Sequence, residues 1–299
     1  NALSTISEFK TGAPSAKRNS RLEGYAGAIA SEVQTLDSIN LQELPRFSTG
    51  YNEFDRVLGG GVVPGSAILI GGSPGAGKST LLLQVMCNLA KTMNALYVTG
   101  EESLQQIAMR ANRLGLPTDK LRMLAETSVE SICFKAEKEK PRIMVIDSIQ
   151  VVHMVDVQSA PGSVSQVRES AAFITRFAKQ NNVAIIMVGH VTKDGSLAGP
   201  KVLEHCIDCS VMLEDTSDSR FRTVRGNKNR FGAVNELGIF AMTDKGLKEV
   251  KNPSAIFLNR AEEHSAGSIV MVIWEGTRPL LVEIQALVDH SQLGNPRRV

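Results

Sequence analysis

The chain has 299 residues, of which 42% are hydrophobic and 21% charged, and its formal net charge is +2. This composition is ordinary for a globular protein with a large core, and the near balance of charge excludes a polycation that binds nucleic acid through its overall charge. No apolar run of about 18 residues occurs and no hydrophobic signal segment precedes the rest; these absences predict a cytoplasmic protein without a membrane-spanning helix.

The first 38 residues carry little apolar periodicity and are predicted to form a partly disordered linker. The start at Asn1, without a methionine, suggests a fragment. From residue 39 onward, short runs rich in Val, Ile and Leu alternate with helix-like segments, which predicts a mostly parallel sheet with helices on both faces. The predicted strands are 67–70, 95–98, 121–124, 143–146 and 183–188, and the predicted helices are 79–91, 103–113, 128–139 and 163–180.

The pattern changes after about residue 200. Strand-like runs at 206–213, 221–225, 236–242 and 247–250 are separated by polar turns, and they predict antiparallel hairpins at one edge of the sheet. The segment 266–299 is again strand-rich. The sequence therefore predicts an α/β fold with a main domain over 39–265.

A glycine-rich stretch, Gly72-Ser73-Pro74-Gly75-Ala76-Gly77-Lys78-Ser79, follows the first of these strands and satisfies the phosphate-binding loop pattern. Glycines let backbone N–H groups approach the phosphates, and the next helix offers its N-terminal end to the same charge. Lys78 is predicted to reach the β- and γ-phosphates, and Ser79 to supply a hydroxyl to Mg²⁺. The stretch therefore predicts binding of ATP or ADP with Mg²⁺ through Gly72, Pro74, Gly75, Ala76, Gly77, Lys78, Ser79 and Thr80.

Acidic residues follow two of the predicted strands. Asp147 ends the strand over 143–146, and it is predicted to face the metal because open α/β sheets bind ligands at the carboxyl ends of their strands. Either Glu101 or Glu102, which follow the strand over 95–98, is predicted to be the catalytic base or water-positioning group. Glu101 is favoured because it lies nearer the strand end, whereas Glu102 is placed to begin the next helix.

His190 follows the strand over 183–188 and has two interpretations. It is either a sensor of the γ-phosphate that passes its presence to the next loop, or a histidine satisfied at a strand end. Beyond it, Lys193 and Lys201 lie in a loop-like segment, and Arg168 lies near the start of a predicted helix. These three cations are candidates for contacts with the phosphates of a DNA strand, although lysines in a loop are also ordinary surface residues.

The densest basic cluster spans 220–230 and includes Lys228 and Arg230. Two residues that are two positions apart on extended backbone point the same way, so this pair is able to reach one target together. In ring-shaped triphosphatases such a target is the γ-phosphate of the neighbouring subunit, although solvated hairpins carry similar charge.

The four cysteines are Cys87, Cys133, Cys206 and Cys209. Only the last two are close together, and a single Cys-x-x-Cys pair falls short of the four ligands of a structural zinc site. The pattern favours buried thiols in the strand over 206–213 rather than metal or redox chemistry.

Four segments together resemble the bacterial RadA (Sms) DNA repair proteins. They are the phosphate loop, the lead-in over 49–61, the pentapeptide Lys228-Asn229-Arg230-Phe231-Gly232 and the segment over 275–287. The resemblance covers about residues 40–299, and the pentapeptide is its most specific part.

This resemblance implies a RecA-like P-loop ATPase in a homo-hexameric ring, similar in mechanics to DnaB-type helicases. It implies movement on single-stranded DNA, branch migration of recombination intermediates and a partnership with the recombinase RecA. Carried over by motif, Glu101 is the catalytic carboxylate, and Lys228 and Arg230 are the cations offered across the subunit boundary. The loop over 192–201 is then expected to face the DNA in the central channel.

Two departures from the RadA pattern are present. No four-cysteine motif precedes Cys87, and the chain stops where a domain resembling the Lon protease is expected, so 266–299 is interpreted as a connector to that domain. The sequence leaves two other functions open on the same core. One is a nucleotide-gated regulator or KaiC-like phosphotransferase, and the other is a strand-exchange filament.

Overall fold

The computed structural model describes residues 35, 45–190, 203–216, 220–258 and 267–286. Its first half alternates helices and strands: α1 (Asn52–Val57), β1 (Ala67–Gly72), α2 (Lys78–Leu89), β2 (Ala95–Thr99), α3 (Leu104–Arg113), β3 (Arg122–Ala125), α4 (Val129–Glu139), β4 (Ile143–Asp147), α5 (Val164–Asn181) and β5 (Ala184–Val188). The second half is mostly strands: β6 (Cys209–Asp215), β7 (Phe221–Asn229), β8 (Leu237–Thr243), β9 (Gly246–Glu249), α6 (Ser254–Phe257), β10 (Ser268–Glu275) and β11 (Arg278–Gln285).

Nine of the strands form one sheet in the order β3-β2-β4-β5-β1-β6-β7-β8-β9. The first six strands in this order are parallel, and β7, β8 and β9 continue the sheet in antiparallel pairs. The predicted α/β architecture with antiparallel hairpins at one edge is therefore confirmed. One detail is wrong: β6 begins at Cys209 rather than Cys206, and it pairs in parallel with β1 before it forms the first hairpin with β7.

The core lies on both faces of the parallel strands. Along β1, Ile68 and Ile70 pack against α1, α2 and α3, whereas Leu69 packs on the opposite face against α4 and α5. Alternate residues of a strand point to opposite faces, and here both faces are apolar because each is covered by helices. The unbroken apolar runs of the sequence are explained by this double burial.

Two short helices were not predicted, α1 and α6. The α1 helix has only six residues within a glycine-rich stretch, so its apolar residues Phe54 and Val57 do not complete a recognisable helical period. Both side chains are fully buried. The tertiary contacts of these two residues, rather than local propensity, therefore stabilise the helix.

All four cysteines are free and buried, in agreement with the thiol interpretation. Cys206 lies in the turn before β6, where its thiol donates to the carbonyl of Leu203 at 3.1 Å. Burial raises the pKa of Cys209 to about 12, so this thiol stays protonated and unreactive. Over the described ranges, no group of three or more His, Cys, Asp or Glu residues is arranged to hold a metal ion.

None of the helices in the described part of the chain combines the length and the apolar character needed to cross a bilayer.

The hairpin formed by β10 and β11 packs on the antiparallel part of the main sheet. Leu280 joins a small apolar cluster with Leu237 and Ile239 of β8. Two ion pairs fix the turn of the hairpin, Arg225 with Glu275 at 2.6 Å and Arg278 with Glu53 at 2.6 Å. The tip of this hairpin is therefore anchored to α1, β7 and β8.

Glu126, just before α4, gives a prediction about pH. Hydrogen bonds from Lys135 and Ser131 lower the pKa of Glu126 from 4.5 to about 2. The folded state therefore prefers the ionised form, and this stabilisation is present above the unfolded pKa and lost as the pH falls through the folded one. We expect urea denaturation to show a steeper loss of stability between pH 4.5 and 2 for the wild-type chain than for Glu126→Gln. The prediction would be wrong if the free energies of unfolding of the two proteins fell in parallel as the pH decreased.

Candidate active site

The predicted phosphate loop connects β1 to α2. Gly75 and Gly77 have φ angles of 84° and 106°, in the left-handed region that glycine adopts without strain. A Cβ on Gly72 would lie 2.3 Å from the carbonyl oxygen of Leu213 on β6, so this position also requires glycine. The space beside Gly75 is open, since no atom lies within 4 Å of where its Cβ would be. The turn is therefore compact on one side and accessible on the other.

Lys78 begins α2 and is 4% exposed. Its Nζ donates to the carbonyl oxygens of Gly72 and Ser73 at 2.7 and 2.9 Å, so the side chain is folded back over the loop. Burial lowers the pKa of Lys78, and the nearby carboxylates of Asp147 and Glu101 partly oppose that shift. The structure therefore places the loop lysine within electrostatic range of both predicted acids.

Asp147 ends β4 and is 7% exposed. Burial raises its pKa, and the hydroxyls of Tyr97 and Ser79 oppose that shift. The Tyr97 hydroxyl donates to Oδ2 at 2.6 Å, whereas Oδ1 is buried without a hydrogen-bond partner among the described residues. A buried carboxylate oxygen with no donor, close to a serine hydroxyl, fits the oxygen ligation that Mg²⁺ prefers. Ser79 and Asp147 thus lie close together beside the phosphate loop.

Glu101 lies beyond the end of β2, and its Oε1 is a shared acceptor. The hydroxyl of Ser148 and the Nε2 of His190 both meet this oxygen, the latter at 3.0 Å. The hydrogen bond from His190 lowers the pKa of Glu101, which keeps the carboxylate ionised at neutral pH. The ends of β2, β4 and β5 therefore bring together three polar side chains that are distant in sequence.

His190 is thus tied to the predicted catalytic carboxylate. Its carbonyl oxygen accepts from Gln150 Nε2 at 3.3 Å, and its Nδ1 is buried without a partner among the described residues. Its two interpretations from sequence, a sensor and a satisfied strand-end histidine, both remain compatible with this position.

Glu102 has different partners from Glu101. Its carboxylate pairs with Arg110 of α3, and its backbone is held by the hydroxyl of Thr99. The expectation that Glu102 begins the next helix is wrong, because the N-cap of α3 is Ser103, which forms a capping box with Gln106.

Lys228 and Arg230 lie at the far end of β7. Lys228 pairs with Ser210, which pairs with Leu69, so this end of β7 lies alongside the first half of β1 rather than its phosphate loop. Leu69 lies three residues before Gly72. Because each residue of a strand advances by about 3.3 Å, roughly 10 Å along the sheet and the width of β6 separate Lys228 from the start of its own loop.

Both cations contact the same short segment, as expected for residues two apart on a strand. Lys228 Nζ donates to the carbonyl oxygens of Glu204 and Ile207, the latter at 2.8 Å, and burial lowers its pKa. Arg230 pairs with Asp208 at 3.1 Å, yet its side chain is 46% exposed. The two side chains therefore share one side of the strand.

The other residues of the pentapeptide have structural roles. Asn229 Oδ1 accepts from the N–H of Phe231 at 2.9 Å and closes the turn. A Cβ on Gly232 would lie 3.0 Å from the Cα of Gly59, so glycine allows this turn to pack on the lead-in. Arg46 bridges the two by donating to the carbonyl oxygens of Phe231 and Gly59.

The predicted DNA-contacting residues are only partly described. Arg168 lies on α5, is 52% exposed and pairs with the adjacent Glu169 at 3.0 Å. Lys193 and Lys201 lie outside the described residues.

Sequence reasoning missed three residues of this region. Tyr97 and Ser148 contact Asp147 and Glu101, and Arg222 donates from Nε to the carbonyl oxygen of Ala76 in the phosphate loop at 3.1 Å. One available signal was Tyr97 itself, because a tyrosine within a buried strand needs a partner for its hydroxyl.

The strand order, the phosphate loop after β1 and the acidic residues at the ends of β2 and β4 define a RecA-like P-loop ATPase fold. A family model described as an AAA domain matches residues 52–196. The chain belongs to the RadA family of bacterial DNA repair proteins, because it is highly similar to its members over nearly its whole length.

The chain is 73% identical over 300 residues to the DNA repair protein RadA of Escherichia coli (strain K12), covering 100% of this chain and 65% of the relative. It is 50% identical over 279 residues to the DNA repair protein RadA of Bacillus subtilis (strain 168), covering 91% and 61%. It is also 50% identical over 267 residues to that of Streptococcus pneumoniae (strain ATCC BAA-255 / R6), covering 89% and 63%. The chain therefore spans 61–65% of the length of these relatives.

Proposed function

We propose that this chain is the ATPase core of a DNA motor that hydrolyses ATP as it moves on single-stranded DNA. The observation that carries the proposal is the meeting of Lys78, Asp147 and Glu101 at the carboxyl ends of three strands. Such edges of open α/β sheets are where ligands bind. The names of the relatives add DNA repair as the setting.

The chain's own residues divide the work of hydrolysis. The loop amides and Lys78 hold the phosphates of ATP, and Ser79 and Asp147 hold Mg²⁺, which supplies positive charge to the phosphates when bound. Glu101 is close to Lys78 and remains ionised, so it is suited to accept a proton from the attacking water or to orient it. His190 is hydrogen-bonded to Glu101, so it is suited to sense the γ-phosphate through this carboxylate and to pass its presence to the next loop.

Lys228 and Arg230 act on the nucleotide of a neighbouring subunit. Their position alongside the first half of β1 separates them from their own phosphate loop, while Arg230 remains half exposed. A cation inserted from a neighbour stabilises the charge that develops in the transition state. Action on a neighbour's nucleotide requires identical subunits joined head to tail, which form either a closed ring or an open filament, and we propose a homo-hexameric ring.

The DNA partner is a single strand or a branched recombination intermediate. We propose contacts from Lys193, Lys201 and Arg168, branch migration as the outcome, and the recombinase RecA as a partner by family resemblance. We further propose that 39–265 form the ATPase domain and that 266–299 connect it to a Lon-protease-like domain in the longer protein.

Stimulation by DNA tests the motor. We expect the rate of ATP hydrolysis by the wild-type chain to rise when a single-stranded oligonucleotide is added, and triple substitution of Lys193, Lys201 and Arg168 by alanine to remove most of that rise. The rate without DNA serves as the internal control. Equal rates with and without DNA would favour the nucleotide-gated regulator or phosphotransferase.

Mixing two inactive variants tests action across the boundary. Lys228→Ala is expected to lose ATP hydrolysis and largely keep its affinity for nucleotide, because Lys228 belongs to the site of a neighbouring subunit. Lys78→Ala is expected to lose function of the nucleotide site on its own subunit. In an equimolar mixture, about one quarter of the boundaries would combine an intact loop with an intact cation, and activity should return. A mixture as inactive as its components would show that Lys228 does not act in trans.

A further inference from the structure

The buried phenol of Tyr97 is one of the contacts of Asp147. Tyr97 lies on β2, is 1% exposed, and donates its hydroxyl to Oδ2 of Asp147 at 2.6 Å. β2 and β4 are adjacent strands, with Thr99 paired to Asp147. Tyr97 is two residues before Thr99, so the phenol reaches diagonally across to the end of β4.

The two oxygens of the Asp147 carboxylate have different surroundings. Oδ2 is occupied by the phenol, whereas Oδ1 is buried and has no hydrogen-bond partner among the described residues. A carboxylate rotates about its terminal torsion with little preference, so its orientation depends on the hydrogen bonds it accepts. The phenol fixes one oxygen and thereby determines which oxygen remains for another ligand.

We propose that Tyr97 is a positioning residue that fixes the rotation of the Asp147 carboxylate so that Oδ1 faces bound Mg²⁺ or its water. This inference rests on the metal role of Asp147 in the proposed function. Partners that orient a metal ligand typically affect metal affinity by about 10–100-fold when removed. A tyrosine that only fills the core would affect stability without affecting the dependence of nucleotide binding on Mg²⁺.

The test removes the hydroxyl by Tyr97→Phe and measures the Kd of ADP by calorimetry, once with Mg²⁺ and once with EDTA. The ratio of the Kd in EDTA to the Kd with Mg²⁺ reports how strongly the metal favours nucleotide binding in each variant. We expect Tyr97→Phe to reduce this ratio by about tenfold, through weaker binding with Mg²⁺ and unchanged binding in EDTA. A ratio within twofold of wild type would overturn the inference.

Tyr51→Phe is the matched control. Its hydroxyl accepts a hydrogen bond from Gln84 at 3.2 Å and does not contact Asp147, so its loss should leave the ratio unchanged. A similar drop in the ratio for Tyr51→Phe would mean that the effect is not specific to Asp147 and would also overturn the inference.

Asp147→Ala separates this inference from the proposed function. Loss of the Mg²⁺ effect in Asp147→Ala with an unchanged ratio in Tyr97→Phe overturns only the role of Tyr97. A Mg²⁺ effect that persists in Asp147→Ala overturns the metal role itself.

A measurement that leaves Tyr97 intact covers the case in which Tyr97→Phe does not fold. The chain has three tyrosines, so Tyr97 is the only one left in the double variant Tyr25→Phe and Tyr51→Phe. Ultraviolet resonance Raman spectra should show that the Tyr97 hydroxyl donates a strong hydrogen bond both with ADP alone and with ADP and Mg²⁺. A phenol that stops donating when Mg²⁺ binds would contradict the proposed arrangement.

Discussion

Replacement of Glu101 by glutamine is expected to lower kcat for ATP hydrolysis by about 10²–10⁴-fold, the usual contribution of a positioned general base. The amide keeps the shape of the side chain but has no basic oxygen for a proton of the attacking water. The Kd of ADP should change little, because Glu101 contacts Ser148 and His190 rather than the phosphate loop. Steady-state kinetics and calorimetry on the same preparation measure both quantities.

Glu102→Gln is the matched control, since the two acids are adjacent in sequence. Its pair with Arg110 is partly exposed, with side chains 20% and 35% accessible, so its loss should cost little stability and leave kcat near wild type. If Glu102→Gln were the slower enzyme, the assignment of the catalytic carboxylate to Glu101 would be wrong.

Replacement of Arg278 by alanine is expected to lower the free energy of unfolding by about 3–5 kcal/mol, as for other buried pairs that lose one partner. Arg278 and Glu53 have side chains only 13% and 10% exposed, and they meet at 2.6 Å. The same Glu53 oxygen also accepts from the N–H of Ile239 at 2.9 Å. Without the guanidinium, the buried carboxylate of Glu53 lacks the positive charge that balances its own. Urea denaturation followed by circular dichroism measures the change.

Arg122→Ala provides the comparison for this experiment. Arg122 pairs with Glu139 on the surface, where the side chains are 53% and 46% exposed, and the expected cost is below about 1 kcal/mol. Equal losses for Arg278→Ala and Arg122→Ala would show that the pair with Glu53 does not anchor the hairpin of β10 and β11 to α1.

The arrangement of the parallel core could be predicted because its signals are local. Runs such as Ile143–Ile146 are apolar and bounded by polar residues, and the phosphate loop is a contiguous motif whose glycines have positive φ angles. The pairing of β6 with β1 was missed because a strand's neighbour is not written in its own sequence. The six-residue helix α1 was missed for a similar reason, since distant residues bury it.

The same distinction holds for the candidate site. By itself, the sequence determined that a phosphate loop is followed by acidic residues at strand ends, because spacing along one chain fixes these features. Only the tertiary structure decided that Glu101 meets His190 while Glu102 meets Arg110, and that Lys228 lies away from its own loop. The contact of Glu101 with His190 and the position of Lys228 depend on the order and register of strands far apart in sequence, which the packing of the whole sheet determines.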